Sequence, residues 1–157
     1  MKKFFMLVFC LMLAVGSYAQ REHLEITKDQ LPDNVIEILD KYYSDSIYNN
    51  PKYFIEFEYE FRPNAPIDDF EVHFSNGTKV EFNKYGYLTS IDCGRGDSVN
   101  VNIIPSLIRN QIKRYNKRIV DYNIDYDRRD KKPLEYEIDF ENGFECTFNH
   151  KGKPIRD

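Results

Sequence analysis

The 157-residue chain contains no tryptophan and only three cysteines and three histidines. It also lacks a nucleophile elbow, a glycine-rich phosphate loop and a His-Glu pair at helical spacing, so the common catalytic motifs are absent. After residue 19 there is no second long apolar run, and we expect no membrane-spanning helix in that part. The aromatic content comes from 12 tyrosines and 12 phenylalanines, which favours strands that pack through aromatic rings.

An excess of positive charge is also missing. The sequence has 22 basic and 26 acidic residues, for a formal net charge of −4. Removal of Lys2 and Lys3 with a signal peptide makes the net charge about −6, so we expect no nucleic-acid partner. The one basic cluster, Lys113-Arg114 with Lys117-Arg118, lies toward the end of a predicted helix, where cations interact favourably with the helix dipole.

Residues 1–19 have the pattern of a secretory signal peptide. Lys2 and Lys3 precede an apolar run from Phe4 to Val15, and Ser17-Tyr18-Ala19 supplies small residues for cleavage before Gln20. The run is too short to span a bilayer comfortably, although an uncleaved anchor is the alternative. We therefore predict a periplasmic or secreted protein with no membrane span after cleavage.

Export leaves two cysteines, Cys93 and Cys146, in a compartment that permits disulfides. Cys146 falls at an inward strand position and Cys93 ends a strand, but sequence alone cannot fix the distance between them. A disulfide and two unpaired thiols therefore both stay open. His23, His73 and His150 have no zinc-ligand spacing with these cysteines.

One stretch imitates a metal site. Asp121-x-Asn123-x-Asp125 resembles the opening of a calcium loop, but Tyr126 and Lys132 stand where such a loop needs Gly and Glu. We expect these side chains to line one face of a strand instead. The sequence predicts no metal site and no cofactor.

The stretch from Phe70 to Gly86 recurs as Tyr136 to Gly152, at a constant offset of 66 residues. In each copy apolar residues alternate with polar ones, which is the period of a strand with one buried face. The dipeptides Asn76-Gly77 and Asn142-Gly143 interrupt this alternation and predict hairpins with type I′ turns. Two hairpins in the same register indicate a duplication.

An amphipathic helix precedes each hairpin. It opens at Leu31-Pro32 in the first copy and at Ile104-Pro105 in the second, and apolar residues follow at helical spacing. Between helix and hairpin each copy has one alternating strand, beginning near Ile55 and Val120. A further strand is expected after each hairpin.

The predicted architecture is α+β, a tandem repeat of two units that each have one helix covering a four-stranded antiparallel sheet. Residues 20–30 form an N-terminal arm, 31–97 the first unit and 98–157 the second. The first unit carries about seven extra residues in the loop after its helix. We expect Ile47 and Tyr48 to be exposed there, in a plain insertion or in a contact loop.

The Leu-Pro opening, the helix with Val35, Leu39 and Tyr42, and the pattern FEV-x-F-x-NG-x-x-V-x-F-x-x-x-G from Phe70 lie behind a signal peptide and recur once with conservative replacements. This arrangement resembles the PepSY-like, beta-lactamase-inhibitor-like family of exported bacterial proteins, over about Ile26 to Ile155. The resemblance implies one continuous concave sheet of eight strands with the helices on one face. It implies no enzyme activity, and structural relatives of the family block a secreted enzyme through the sheet face and hairpin loops.

The sheet face opposite the helices is the candidate binding surface. Most of its predicted members are acidic, so a basic protein or peptide would be steered toward it. The hairpin tips Asn76-Gly77 and Asn142-Gly143 are further candidates. The residues expected on the face are Glu56, Glu58, Glu60, Glu71, His73, Asp121, Asn123, Asp125, Glu135, Glu137 and Asp139.

These observations predict an exported module that binds a protein or peptide through the acidic sheet face and the hairpin tips. The alternative is an inhibitor or chaperone-like regulator of an exported hydrolase, which only the resemblance suggests. An enzyme that uses the sheet carboxylates is the least expected function, because any acidic sheet face offers as many carboxylate pairs. A surface that is merely soluble also stays open.

Overall fold

The computed structural model of the chain describes residues 22–57, 67–127 and 132–156. The predicted signal peptide, 1–19, and its cleavage before Gln20 lie outside the described residues. No helix in the three described ranges is long and apolar enough to cross a membrane.

The described ranges contain nine strands and two α-helices. In chain order they are β1 (Glu22–Ile26), α1 (Asp33–Tyr42), β2 (Lys52–Phe57), β3 (Ile67–His73), β4 (Lys79–Asn83), β5 (Leu88–Asp92), α2 (Ser106–Ile112), β6 (Ile119–Tyr126), β7 (Pro133–Phe140), β8 (Glu145–Asn149) and β9 (Pro154–Arg156). Short 3-10 helices span Lys28–Gln30, Ser46–Tyr48 and Lys113–Tyr115.

The nine strands form one antiparallel sheet in chain order, with each strand hydrogen-bonded to the next. The predicted α+β class is confirmed, whereas the predicted number of eight strands is wrong. The additional strand is β1, which lies in the predicted N-terminal arm and pairs with β2 from Glu22 opposite Phe57 to Ile26 opposite Tyr53. Its sequence gives a weak pattern because Ile26 is buried but Leu24 is 54% exposed.

A row of apolar residues crosses the helix side of the sheet, with one residue on each of eight strands. Paired residues on neighbouring strands share a face, so the register aligns them. The row consists of Ile26, Tyr53, Val72, Val80, Ile91, Tyr122, Ile138 and Cys146. The buried stripes of both helices join the same core, and they are Val35 and Leu39 from α1 with Ile108 and Ile112 from α2.

Both helices begin directly after the prolines at which the sequence predicts their starts. Pro32 and Pro105 are the N-cap residues, and their missing N–H groups cost nothing because first-turn amides have no partner within a helix. α2 continues into the 3-10 helix Lys113–Tyr115, and Asn116 ends that segment with a φ of 48°.

The predicted type I′ geometry of the hairpin turns is wrong. A type I′ turn needs positive φ at both central residues, but only the glycines have it, with 88° at Gly77 and 78° at Gly143. Phe74 N–H donates to Thr78 O at 2.9 Å, which closes a three-residue loop. Asn76 Oδ1 accepts the Thr78 N–H at 2.9 Å, so the asparagine supplies a side-chain acceptor and not a left-handed backbone.

The aromatic residues around the first hairpin are packed together. Phe74 is buried, as the alternation predicts, and Ile47 is exposed as expected. The predicted exposure of Tyr48 is wrong, because its ring packs edge-on against Tyr43 and Phe74 at centroid distances of 4.9 and 5.1 Å. The loop after α1 therefore folds back onto the first hairpin.

Candidate binding face

The predicted face residues that fall in the described ranges lie on the side of the sheet opposite the helices. We call this side the open face. The strand register places them there because each alternates with a member of the core. They are Glu56, Glu71, His73, Asp121, Asn123, Asp125, Glu135, Glu137 and Asp139. Glu58 and Glu60 lie outside the described residues.

Glu71 is already neutralised within the protein. Its carboxylate is 2% exposed and lies 2.8 Å from Lys79 Nζ, 2.8 Å from His73 Nε2 and 3.5 Å from His23 Nδ1. Burial raises the pKa of Glu71, but hydrogen bonds from Lys79 and His73 outweigh it and hold the pKa below its ordinary value. Glu56 is also buried, at 5% exposure. Neither carboxylate presents its charge to a partner.

Four carboxylates form a continuous row across β5 to β8. Asp92 pairs with Asp121, Asp121 with Asp139, and Asp139 with Glu145, so neighbours on adjacent strands lie side by side. We call these four residues the acidic row. No ion pair joins any of them to a basic side chain within the described ranges.

Burial and mutual repulsion perturb the acidic row. Burial, with the charges of Asp139, Asp92 and Glu137, raises the pKa of Asp121 to about 6. Burial and the charge of Glu145 also raise the pKa of Asp139. Like charges directly opposite each other in a sheet are destabilising. The row therefore holds negative charge that the described part of the fold does not compensate.

The first half of the open face has basic residues at the matching positions. Lys52, His73 and Lys79 lie side by side on β2, β3 and β4, and Lys79 pairs onward with Asp92. The predicted face is thus not uniformly acidic. This difference in charge between the two halves could have been found in the sequence, because the 66-residue offset relates His73 to Asp139 and Lys79 to Glu145.

Two members of the acidic row, Asp92 and Glu145, are absent from the predicted set. Both lie at strand ends, where alternation no longer shows which way a side chain faces. Only the register with β6 and β7 assigns them to the open face.

The first hairpin tip is braced by the loop after β5. Asp97 Oδ2 accepts hydrogen bonds from Asn76 Nδ2 at 3.0 Å and from Thr78 Oγ1 at 2.9 Å. Gly94 N–H donates to Thr78 Oγ1 at 3.1 Å. A Cβ on Gly94 would lie 2.0 Å from the Asn76 carbonyl oxygen, so only glycine allows this close approach. Asn76-Gly77 is therefore engaged inside the protein.

The second hairpin tip is open. Asn142 and Gly143 are exposed, and no atom lies within 4 Å of the position that a Gly143 Cβ would take. Asp139 and Glu145 flank this tip, so the acidic row ends beside it. The second half of the molecule thus combines uncompensated carboxylates with an accessible loop.

The calcium-like triplet Asp121, Asn123 and Asp125 lies along β6 and not in a loop. Asn123 Nδ2 donates to Asp121 Oδ1 at 2.9 Å. Across the described residues, no three His, Cys, Asp or Glu side chains are grouped so as to hold a metal ion. No disulfide joins Cys93 and Cys146. Burial, with the charges of Asp97, Asp92 and Asp121, raises the pKa of the Cys93 thiol to about 12.

A cleft of about 440 Å³ opens on the helix side, between α1 and strands β5 to β7. Tyr87 stacks on Tyr126 with centroids 5.9 Å apart, and Tyr122 stacks on Tyr136 at 6.3 Å. Sequence periodicity assigns such aromatic residues to the core. The helices leave part of this surface uncovered, and Tyr87 is 41% exposed.

An open antiparallel sheet with helices on one face and charged residues on the other defines the class of this α+β protein. The chain belongs to the family described as beta-lactamase-inhibitor-like, PepSY-like, whose model matches residues 68–156. No curated protein matches the chain.

Three solved structures of similar fold come from two species of Bacteroides. A protein of the DUF2874 family from Bacteroides vulgatus, described as periplasmic, has a TM-score of 0.69 and 22% identity, covering 86% of this chain and 95% of its own. A protein from Bacteroides thetaiotaomicron, described as calcium-regulated and periplasmic, has a TM-score of 0.67 and 28% identity, covering 85% and 94%. A periplasmic protein of unknown function from Bacteroides vulgatus has a TM-score of 0.65 and 24% identity, covering 86% and 98%.

Proposed function

We propose that this protein is an exported binding module that recognises a basic segment of a protein or peptide through the acidic row and the neighbouring tip Asn142-Gly143. The observation that carries the proposal is the alignment of four carboxylates side by side, none of which forms an ion pair with a basic side chain in the described ranges. Their mutual repulsion destabilises the free protein, and an arriving Lys or Arg side chain would remove it.

The proposed site is narrower than the whole open face. Glu71 is ion-paired and Glu56 is buried, so their charges are not offered to a partner. The remaining predicted members on β6 and β7 border the acidic row, and the carboxylates among them extend its negative potential. They are Asn123, Asp125, Glu135 and Glu137. The brace on Asn76-Gly77 leaves the second tip as the better candidate contact.

The acidic row suits a short extended segment. Neighbouring strands are about 4.8 Å apart, so four carboxylates span roughly 14 Å. An extended peptide advances about 3.4 Å per residue, and four or five residues therefore cover the row. Attraction between unlike charges would speed association and make it sensitive to salt.

Export supports a partner outside the cytoplasm. Three structures of similar fold are described as periplasmic. Residues 1–19 also have the pattern of a signal peptide. We propose that this segment is cleaved before Gln20 and that the protein works in the periplasm or outside the cell.

A duplication would explain why the two halves share their order of elements and their turns. Helix and strands follow the same order from α1 to β5 and from α2 to β9. Gly86 and Gly152 both have positive φ, and the side chains of Asn83 and Asn149 each accept two backbone amides. We propose that 31–97 and 98–157 are copies of one ancestral unit, and that the second copy acquired Asp121, Asp139 and Glu145, three of the four members of the acidic row.

The alternative is an inhibitor or chaperone-like regulator of an exported hydrolase. The family description, beta-lactamase-inhibitor-like, favours it. Both candidates act by binding, and we propose no catalysis by the sheet carboxylates. They differ in what happens to the partner, because an inhibitor lowers the activity of the enzyme that it captures.

Titration of a fluorescent hexalysine peptide tests the acidic row. At about 25 mM salt with a chelator present, we expect Asp121→Asn with Asp139→Asn to weaken binding about tenfold. Each lost charge pair contributes roughly 0.5–1 kcal/mol, and 1.4 kcal/mol is tenfold in affinity. Salt at about 300 mM should remove most of the binding to the unaltered protein.

The matched control is Asp33→Asn with Glu37→Gln, which removes the same charge from exposed positions of α1. We expect its affinity to stay within about twofold of the original. An equal loss in both double variants means that net charge alone attracts the peptide, and the acidic row is then not the site. A captured hydrolase that loses activity in the complex supports the inhibitor alternative.

A further inference from the structure

A second pocket is lined by positively charged side chains, in contrast to the acidic row. It has a volume of about 400 Å³ and lies between the end of α2, the loop that precedes α2, and the first residue of β6. Among the described residues that line it, four are cationic and none is acidic, in a chain with more acidic than basic residues. The cations are Arg109, Lys113, Lys117 and Arg118.

The two arginines are held in place, whereas the two lysines are exposed. Arg109 Nη1 donates to Asn102 Oδ1 at 2.7 Å, and Arg118 Nε lies 3.2 Å from Glu141 Oε2. Lys113 and Lys117 have no ion pair in the described ranges. A pocket lined by two guanidinium groups and two exposed ammonium groups is suited to an oxyanion, which guanidinium binds through parallel hydrogen bonds.

The pocket also offers apolar surface. Val101 is 45% exposed and forms part of the wall, and the buried residues Ile112, Ile119 and Phe140 lie behind it. An inorganic ion alone would leave this surface in contact with water. A ligand with a hydrocarbon body would cover it, at a gain of about 25 cal/mol per Å².

The helix dipole explains only part of this charge. A helix end carries about half a negative charge, which Lys113 alone is enough to balance. Asn116 ends the helical segment, so Lys117 and Arg118 follow it. Glu141 compensates Arg118, and Arg109 and Lys117 still contribute positive charge that neither the helix nor a described carboxylate neutralises.

We propose that this pocket binds a small amphiphilic anion, with a phosphate, sulfate or carboxylate head among the four cations and a short hydrocarbon body against Val101. Its volume falls in the range of small-molecule sites, which is about 300–1,000 Å³. The site does not depend on the acidic row, because the two surfaces attract ligands of opposite charge.

Calorimetric titration with octyl phosphate, below its micelle concentration, tests the pocket. We expect Lys113→Gln with Lys117→Gln to weaken binding at least about tenfold, since two charges next to the phosphate are lost. Both lysines are exposed, so the fold is retained, and circular dichroism verifies this. The matched control is Lys151→Gln with Lys153→Gln, two exposed lysines at the turn before β9, and its affinity should stay within about twofold.

Two further ligands measure the contributions of the anionic head and of the hydrocarbon body to binding separately. Octyl glucoside has the same chain with a neutral head, and inorganic phosphate has the head alone. We expect each to bind at least about tenfold more weakly than octyl phosphate. Equal binding of octyl glucoside, or an equal loss in both lysine variants, overturns the proposal. Adhesion to phosphatidylglycerol vesicles without binding of octyl phosphate also overturns it, because membrane attraction then replaces a pocket.

Discussion

Asp121 lies in the middle of the acidic row, between Asp92 on β5 and Asp139 on β7. Burial and these neighbours raise its pKa to about 6, whereas an unfolded aspartate has a pKa near 3.9. The folded protein therefore binds more protons than the unfolded chain between about pH 4 and 6. The contribution of Asp121 to the free energy of unfolding therefore increases as the pH falls from about 6 to about 4. It decreases again as the pH rises through the same range.

We expect Asp121→Asn to stabilise the protein at pH 7 and to have almost no effect near pH 3, below the pKa of this residue in both the folded and the unfolded state. The substitution removes a repelled charge, and the gain is about 1 kcal/mol because solvent screens a half-exposed group. Urea unfolding at the two pH values measures it. Glu37→Gln on α1 is the control and should change stability by less than about 0.5 kcal/mol at either pH. A gain of equal size at pH 3 and pH 7 would show that charge repulsion is not its cause.

Glu71 shows the limit of reading charge from sequence. Alternation correctly places it on the open face, but its ion-pair partners come from β1, β3 and β4. Side chains on neighbouring strands therefore decide whether a carboxylate is available or neutralised. The sequence therefore predicts on which face each carboxylate lies. Only the strand register shows that Glu71 is paired with basic residues whereas Asp121 is not.

At the scale of elements, the brace on the first hairpin distinguishes it from the second. Thr78 is 1% exposed, and its hydroxyl is bonded to both Asp97 and Gly94. The equivalent position in the second hairpin is Phe144, which has no hydroxyl. The same local turn is thus fixed in one half and accessible in the other.

We expect Gly94→Ala to destabilise the protein by at least about 2 kcal/mol, because the added Cβ meets backbone atoms of the first tip. Gly96→Ala is the matched comparison. Gly96 has a φ of 91° with no atom within 4 Å of the added Cβ, so backbone strain alone costs about 1 kcal/mol. Urea midpoints of both variants give the difference. If Gly94→Ala is the milder change, the close approach at the first tip does not contribute to stability.

Helices and hairpins could be predicted because their signals are local. The Leu31-Pro32 helix start and the Asn142-Gly143 turn depend only on residues close to them in the sequence. The pairing of β1 could not be predicted from local signals, because its partner strand, β2, follows it in the sequence only after α1. The turn type was also missed, because Asn-Gly fits two loop lengths and the Asn76 side chain selects the longer one.

At the scale of the molecule, the two halves meet where β5 pairs with β6. Three residue pairs form this junction, and its inward pair is Ile91 opposite Tyr122. Both side chains are at most 1% exposed. Because the core row runs through this pair without a break, the halves share one core and should unfold together.

We expect Ile91→Ala to lower the free energy of unfolding by about 2–4 kcal/mol, the range for truncating a fully buried side chain. Hydrogen exchange should then speed up in both halves, at Val72 and Val80 as well as at Ile138 and Cys146, because one core connects them. Ile155→Ala on β9 is the control, and it should change stability by less than about 0.5 kcal/mol since Ile155 is 47% exposed. Faster exchange confined to one half would mean that each unit folds separately. The sheet that supports the acidic row would then be two domains joined at an edge.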